Sequence, residues 1–229
     1  MPRSPQSRGT CAYCGEEFVK SGAGRHLEKC GQRLQAIKAA ESSNHPVETL
    51  WHLRVQAANA KGFWLDLEMR GSASLSTLDT YLRAIWLECC GHMSEFTVGG
   101  WGGSKIGNAR KADDVFAKET ALRHLYDFGT TSETDIKVVN SRHGKATTKR
   151  PIALMARNNM PEMLCNECNQ PAGWLCLECL YEADEPGIWF LCDEHVKDHP
   201  HDEYGEPLPL VNSPRLGMCG YDGPAEPPY

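Results

Sequence analysis

Two segments in the first half of the chain have the apolar and polar pattern of β-strands, Thr49–Ala57 and Phe63–Met69. In the second segment, leucine and methionine alternate with the acidic residues Asp66 and Glu68. This alternation predicts a strand with one buried face and one face in solvent. Four later segments carry similar strand signals, namely Ser94–Val98, Leu122–Phe128, Thr134–Asn140 and Pro151–Arg157.

One helix is predicted between these strands. Ser76 is placed to cap its first turn, with Asp79 three residues later as the partner in a capping box. Gly91 is expected to end the helix. Its apolar residues recur at helical spacing, at Leu78, Leu82, Ile85, Trp86 and Cys89. Strands and a helix mixed in this way predict a small α+β domain in the centre of the chain.

The N-terminal part contains metal-ligand residues at the spacing of a zinc finger. Cys11 and Cys14 form a C-x2-C pair, and His26 and Cys30 follow as H-x3-C. A C-x2-C turn presents two thiolates, and residues four apart lie on one helix face, so the four side chains can surround zinc. The arrangement resembles a two-cysteine, two-histidine finger in which Cys30 replaces the last histidine. The alternative is a chance cluster in a segment without fixed structure.

The helical pattern continues from His26 to about Ala40, and it carries basic residues. Arg25, Lys29 and Arg33 recur every four residues, which predicts that they share one helix face. Such a face can contact the phosphates of a nucleic acid. The alternative is an ordinary solvated helix surface.

The C-terminal part carries four more ligand pairs. In chain order they are Cys165/Cys168, Cys176/Cys179, Cys192/His195 and His199/His201. Eight ligands predict two tetrahedral zinc sites, and the order resembles that of B-box and RING-like cross-brace modules. In those modules the first and third pairs share one zinc and the second and fourth share the other. Sequential pairing, the alternative, would place four cysteines in one site and a single cysteine with three histidines in the other, a less common structural set.

The ligand count predicts three zinc ions per chain. Three tetrahedral sites need twelve ligands, and eight cysteines and four histidines supply them. The cysteines left over are Cys89, Cys90 and Cys219. The vicinal pair is interpreted as small core residues at a helix end, and Cys219 is an alternative ligand in place of His199 or His201.

The net charge changes along the chain at about the same positions as the density of cysteines. The 229 residues carry a formal net charge of −6, but residues 161–229 alone contain fourteen acidic and two basic residues. Such a segment repels phosphate, so a nucleic-acid contact is expected only from residues 1–45. We therefore predict three domains: a zinc finger in residues 1–45, an α+β domain in residues 46–160 and an acidic two-zinc module in residues 161–229.

The eleven cysteines also bear on location. The first residues lack the apolar stretch of a secretion signal, and no apolar run approaches the roughly 18 residues of a membrane span. We therefore expect a cytoplasmic protein without a membrane partner, in which thiols stay reduced and bind metal.

Three motifs of the central part resemble the plasmid pRiA4b ORF-3-like family. They are LWHLRV at 50–55, LRAIWLECCGHMSEF at 82–96 and YDFGTTSETDIKVV at 126–139. Together they span about residues 49–160 in family order. Members of the family are α+β domains, described mostly as uncharacterised or as resolvase-like, so the resemblance implies a fold more than an activity. The PPIWRR segment that follows the first strand in the family is absent here.

No motif supports an enzyme. Asp127-Phe128-Gly129 lacks the accompanying motifs of protein kinases, and Gly102-Gly103-Ser104-Lys105 lacks the spacing of a phosphate-binding loop. The leading hypothesis is a zinc-binding adaptor that contacts another protein through its acidic end. One alternative is a DNA-associated regulator or mobile-element accessory protein that binds nucleic acid through the finger. A ubiquitin-ligase-like enzyme is a third class, but the ligand pattern is not that of a RING.

Overall fold

The computed structural model describes residues 7–182, 189–200 and 203–224. The chain forms two compact units, which are considered separately. The first contains the described residues up to Arg83 together with His92–Asn159, and the second contains Ala84–Gly91 together with the described residues from Met160 onward. The predicted finger and most of the predicted central domain thus lie in the first unit. The segment Ala84–Gly91 of that domain lies in the second unit, together with the predicted acidic module.

A nine-stranded antiparallel sheet forms the first unit. Its strands are β1 (Arg8–Cys11), β2 (Glu17–Val19), β3 (Val47–Ala57), β4 (Trp64–Arg70), β5 (Ser94–Val98), β6 (Ser104–Ile106), β7 (Ala121–Tyr126), β8 (Ser132–Lys145) and β9 (Ile152–Asn158). Across the sheet they lie in the order β2-β1-β9-β4-β3-β8-β7-β5-β6. The hairpin of β1 and β2, which belongs to the predicted finger, therefore extends the sheet beyond its last strand, β9.

Four short helices accompany this sheet. They are α1 (Ala23–Lys29), α2 (Gly31–Ala40), α3 (Leu75–Leu82) and α4 (Ala112–Phe116). Helices and a large antiparallel sheet occur together, so the predicted α+β class is confirmed. The hairpin of β1 and β2, the short strand β6 and the one-turn helix α4 are elements that the apolar pattern did not predict.

The predicted helix begins and ends earlier than expected. Its cap is Ser74, whose side chain accepts a hydrogen bond from the backbone N–H of Thr77 at 3.4 Å, and not Ser76. After α3 the chain continues as a π-helical turn at Arg83–Leu87 and does not remain helical to Gly91. Asp79 does not complete a capping box; it accepts hydrogen bonds from the side chains of neighbouring elements instead.

Strand β4 is buried on both faces, so the prediction of a solvent-facing side is wrong. Asp66 is fully buried and accepts two hydrogen bonds of 2.8 Å from the guanidinium of Arg54. Glu68 is 5% exposed and pairs with Arg142 at 2.6 and 2.8 Å and with Arg33 at 3.2 Å. The alternation therefore identified the strand correctly. Its acidic residues are nevertheless buried, because arginines neutralise their charges.

The second unit has much less regular structure. Its strands are β10 (Trp174–Leu175), β11 (Phe190–Leu191) and β12 (Leu208–Pro209), and its helix is α5 (Leu177–Glu182). β10 lies between the other two strands and pairs with both of them in antiparallel fashion. A 3-10 turn follows at Met218–Gly220. None of the helices in the described ranges of either unit has the length and apolar character that a bilayer crossing requires.

Candidate metal centres

The predicted ligands gather into three groups. All eleven cysteines lie in the described part of the chain, and none of them forms a disulfide bond. Within each group the ligand atoms lie within 4.8 Å of one another. We refer to these groups as the finger cluster (Cys11, Cys14, His26, Cys30), the first crossed cluster (Cys165, Cys168, Cys192, His195) and the second crossed cluster (Cys176, Cys179, His199). His201, predicted as the fourth ligand of the last group, lies outside the described residues.

The finger cluster is assembled by a turn and two helix ends. After Cys11, at the end of β1, a tight turn is closed by the N–H of Gly15, which donates to the Cys11 carbonyl at 2.9 Å. Gly15 has a φ of 74°, a left-handed conformation that glycine adopts at little cost. His26 lies on α1, and Cys30 occupies the extended residue between α1 and α2.

The distances between ligand atoms fit a tetrahedral zinc ion. Zinc–sulfur bonds of about 2.3 Å and zinc–nitrogen bonds of about 2.0 Å imply S–S edges of about 3.8 Å and S–N edges of about 3.5 Å. In the finger cluster, the Cys11 and Cys30 sulfurs are 3.9 Å apart, and the Cys14 sulfur lies 3.4 Å from Nε2 of His26. The donor set and its spacing are therefore compatible with zinc.

The first crossed cluster shows the same agreement. The Cys168 and Cys192 sulfurs are 3.8 Å apart. Nδ1 of His195 lies 3.6 Å from the sulfur of Cys165 and 3.3 Å from that of Cys192. These are the edges expected of a tetrahedron formed by three sulfur ligands and one nitrogen ligand.

The second crossed cluster lies at the start of α5. The backbone N–H of Cys179 donates to the sulfur of Cys176 at 3.4 Å, as in a turn that presents two thiolates to one ion. Nε2 of His199 is 3.4 Å from the sulfur of Cys179. Because the first ligand pair groups with the third, and the second with His199, the arrangement is the crossed one and not the sequential one.

Burial and backbone hydrogen bonds act in opposite directions on these thiols. Burial raises the pKa of Cys11 to about 11 and that of Cys179 to about 12. Burial also acts to raise the pKa of Cys30, but hydrogen bonds from backbone N–H groups at the start of α2 and from the neighbouring thiols outweigh it, and the pKa is lowered. The backbone N–H of His195 is the largest influence that lowers the pKa of Cys192. A bound cation would therefore have to displace protons from Cys11 and Cys179 at neutral pH.

The finger cluster shares its hydrophobic core with the large sheet. Cys11, Leu27 and Cys30 pack with the fully buried Trp64 of β4 and with Met155 and Ala156, which belong to β9. The backbone of β1 also lies very close to the Trp64 ring at Gly9, where an added Cβ atom would be 2.4 Å from the ring. The predicted finger is thus built into the first unit.

The three basic residues of the predicted finger do not share one helix face, so that prediction is wrong. Cys30 is extended, with a ψ of 114°, and separates α1 from α2. Arg33, on α2, donates to the carbonyl of Leu27 at 3.1 Å and pairs with Glu68. Arg25 and Lys29 are exposed, and both line an open groove of about 570 Å³ beside the finger cluster. Contact with nucleic-acid phosphates stays a prediction.

Sequence reasoning missed a further group of thiols in the second unit. Cys89 is half-buried and Cys90 is exposed, so their interpretation as core residues is wrong. Cys219 lies with these two cysteines and not with His199, and the three sulfur atoms are within 4.8 Å of one another. A vicinal pair followed by a distant single cysteine carries no recognised spacing, so only the folded chain reveals the group.

Comparison with known proteins adds little to this geometry. No protein-family model matches the chain, and no curated protein matches it. Among solved structures, the chain is similar to a protein of unknown function, MM3350 from Methanosarcina mazei Go1. The sequence identity is 16% and the TM-score is 0.40, over 48% of this chain and 69% of that one.

Proposed function

We propose that this protein is a non-enzymatic adaptor in which three structural zinc ions hold the finger and the acidic module in the shape that binds another protein. The agreement of the ligand distances with tetrahedral edges carries the proposal, as in the 3.9 Å between Cys11 and Cys30 and the 3.8 Å between Cys168 and Cys192. Structural zinc takes four protein ligands, and the finger cluster and the first crossed cluster each offer four. His201 is the proposed fourth ligand of the second crossed cluster.

The proposed partner is a basic segment of another protein. Among the described residues from Met160 onward, the cations are Lys197 and Arg215, and Arg215 is fully buried. Eight carboxylates in that part are exposed, namely Glu162, Glu167, Asp193, Glu194, Asp198, Glu203, Glu206 and Asp222. An acidic surface of this kind attracts arginine and lysine and accelerates their encounter.

Two exposed tyrosines give this surface an apolar component. Tyr181 is 53% exposed and Tyr204 is 50% exposed, and their ring centroids are 6.0 Å apart. The hydroxyl of Tyr181 donates to the carbonyl of Gly217 at 3.0 Å, which holds its ring in place. A tyrosine face attracts a guanidinium or ammonium group, so the pair suits a segment rich in arginine.

Titration of the zinc-loaded full chain with a fluorescent peptide of alternating arginine and serine tests this proposal. We expect binding that weakens about tenfold in the Tyr181→Ala/Tyr204→Ala variant, since two cation–π contacts contribute roughly 1–2 kcal/mol together. Trp101→Ala removes an exposed aromatic residue of the first unit and is the matched control. Equal affinity for the wild type and the tyrosine variant, or no binding at 50 mM salt, would contradict the proposed partner.

Nucleic-acid binding through the finger is the second candidate, because Arg25 and Lys29 are exposed beside one groove. Two phosphate contacts predict a salt slope of about −1.8, or roughly 12-fold weaker duplex binding at 200 mM than at 50 mM salt. The Arg25→Ala/Lys29→Ala variant should lose this dependence, whereas Lys38→Ala, an exposed residue of α2, should retain it. Tight and sequence-dependent binding would place this function above the adaptor, and no binding at 50 mM salt would remove it.

For the domain organisation, we propose a pRiA4b ORF-3-like domain in residues 46–160 and a B-box-like module in residues 161–229. The three motifs fall on β3, on the π-helical turn with β5, and on β8, so strands and a helical segment occur together as the resemblance implies, which supports the first assignment. The crossed grouping of ligand pairs supports the second. We place the protein in the cytoplasm, where reduced thiols remain available to zinc.

A further inference from the structure

Three cysteines that the three-zinc count leaves over lie together in the second unit. Cys89 and Cys90 end the segment Ala84–Gly91, and Cys219 lies in the turn at Met218–Gly220. Their sulfur atoms are within 4.8 Å of one another. This upper limit is compatible with the S–S edges of about 3.8 Å that one zinc ion requires.

The backbone around Cys219 is arranged to present its side chain. Cys219 has a φ of 53°, a left-handed conformation that costs a residue with a Cβ atom roughly 1–2 kcal/mol. The turn is held on both sides, since the N–H of Tyr221 donates to the carbonyl of Met218 at 3.0 Å and the N–H of Met218 donates to that of Arg215 at 2.9 Å. The exposed cysteine is therefore fixed in position and not carried on a loose loop.

A buried arginine supplies the charge that such a site needs. The side chain of Arg215 is fully buried, and its Nη2 donates to the sulfur of Cys89 at 3.3 Å. A zinc ion with three thiolates has a net negative charge, which the guanidinium neutralises. Hydrogen bonds to ligating groups of this kind orient the ligands and tune metal affinity. Beside a neutral thiol, the same buried arginine would gain less electrostatic stabilisation.

The two segments that carry these cysteines are also joined by a buried hydroxyl. Ser213 donates to the carbonyl of Trp86 at 2.7 Å and accepts from the backbone N–H of Arg215 at 2.9 Å. Both contacts hold the end of the chain against Ala84–Gly91 within the second unit. Buried hydrogen bonds therefore hold together the two segments that carry the three thiols.

We propose that Cys89, Cys90 and Cys219 bind a fourth zinc ion. Its fourth position would be filled by water, because Cys90 and Cys219 are exposed. The ion would link Ala84–Gly91 to the turn at Met218–Gly220, where Cys219 follows Cys89 by 130 residues in the sequence. This site is independent of the adaptor function, because it depends on neither the acidic surface nor the three clusters described above.

Elemental analysis of the full chain, purified with reductant and without added metal, tests the site directly. We expect four zinc ions in the wild type and three in Cys219→Ser, with unchanged far-ultraviolet circular dichroism, because Cys219 is exposed. Cys90→Ser/Cys219→Ser should also bind three. The matched control is Cys168→Ser/Cys219→Ser, which should bind two, because its cysteines belong to different sites.

Two results would overturn the proposal. Three zinc ions in the wild type and an unchanged count in Cys219→Ser would remove the site. A chain purified without reductant that is about 2 Da lighter than the reduced form and binds three zinc ions would show a disulfide instead.

Discussion

The finger cluster and the crossed clusters present similar ligands but rest on different supports. Around the finger cluster, Trp64, Met155 and Ala156 of a nine-stranded sheet supply buried apolar side chains that are not metal ligands. Around the crossed clusters, the buried core consists of Cys176, Cys179 and Leu191, with partly buried side chains packed on it. The comparison teaches that metal ligands contribute most to stability where the apolar core is smallest.

Removal of metal should separate the two regions most strongly. Structural zinc contributes about 10–16 kcal/mol in small zinc domains, and two-residue strands cannot replace it. With excess chelator, we expect residues 160–224 to lose protection against amide hydrogen exchange, while β3, β4, β8 and β9 keep theirs. Hydrogen exchange followed by mass spectrometry measures both regions in one sample.

The control for this experiment is the same chelator saturated with zinc beforehand, which should leave both regions protected. Equal loss of protection in the large sheet and in the acidic module would contradict the difference in support. Equal retention would show that the second unit is stable without metal.

Loss of one zinc ion should reveal which ligand pairs share a site. Cys165→Ser/Cys192→Ser should cost one zinc ion, because both sulfurs belong to the first crossed cluster. Cys165→Ser/Cys176→Ser should cost two, because the cysteines belong to different clusters. Zinc analysis of the single and double variants measures the difference. Sequential pairing predicts the reverse, with the smaller loss in the second double variant.

Truncation of one tryptophan in each region should test whether packing around each cluster slows the release of its zinc ion. Trp64→Ala removes a fully buried side chain, for which we expect a loss of roughly 3–5 kcal/mol in the free energy of unfolding of the first unit. It should also speed zinc transfer from the finger cluster to a chromogenic chelator. Trp189→Ala is the matched variant in the second unit and should speed release from the crossed clusters only. The same zinc kinetics in both variants would argue against separate supports.

Acidification should produce the smallest effect, an order of release within the crossed clusters. Zinc binds thiolates, so protons compete with zinc for each sulfur. When the metal-free pKa of a thiol is raised, protons displace zinc from that thiol at a higher pH. The pKa of Cys179 is about 12 because of burial, whereas backbone hydrogen bonds lower that of Cys192. We therefore expect the second crossed cluster to lose zinc before the first as the pH decreases from 7.

Zinc analysis at a series of pH values measures this order in two variants. Cys165→Ser/Cys192→Ser retains the second crossed cluster, and Cys176→Ser/Cys179→Ser retains the first. The variant that retains the second crossed cluster should lose the zinc of that cluster at the higher pH. Release of both ions at one pH would show that the two sites open together.

Local sequence patterns predicted most strands of the central domain. The strands near Thr49 and Phe63 were predicted correctly, because the pattern of apolar and polar residues depends only on near neighbours in the sequence. The burial of Asp66 and Glu68 was missed, since their arginine partners lie on other elements. Arg33 was misplaced for a similar reason: an extended Cys30 ends α1, and an ion pair with Glu68 then fixes the arginine.

The sequence by itself determined the C-x2-C pairs, because a tight turn brings two thiolates together over a few bonds. Only the tertiary structure decided that the β1–β2 hairpin joins the sheet beside β9 and that Cys89, Cys90 and Cys219 lie together. These outcomes depend on burying side chains such as Trp64 and Arg215 against residues far along the chain. Packing of that kind leaves no periodic signal in the sequence, because its partners are chosen by shape and charge in three dimensions.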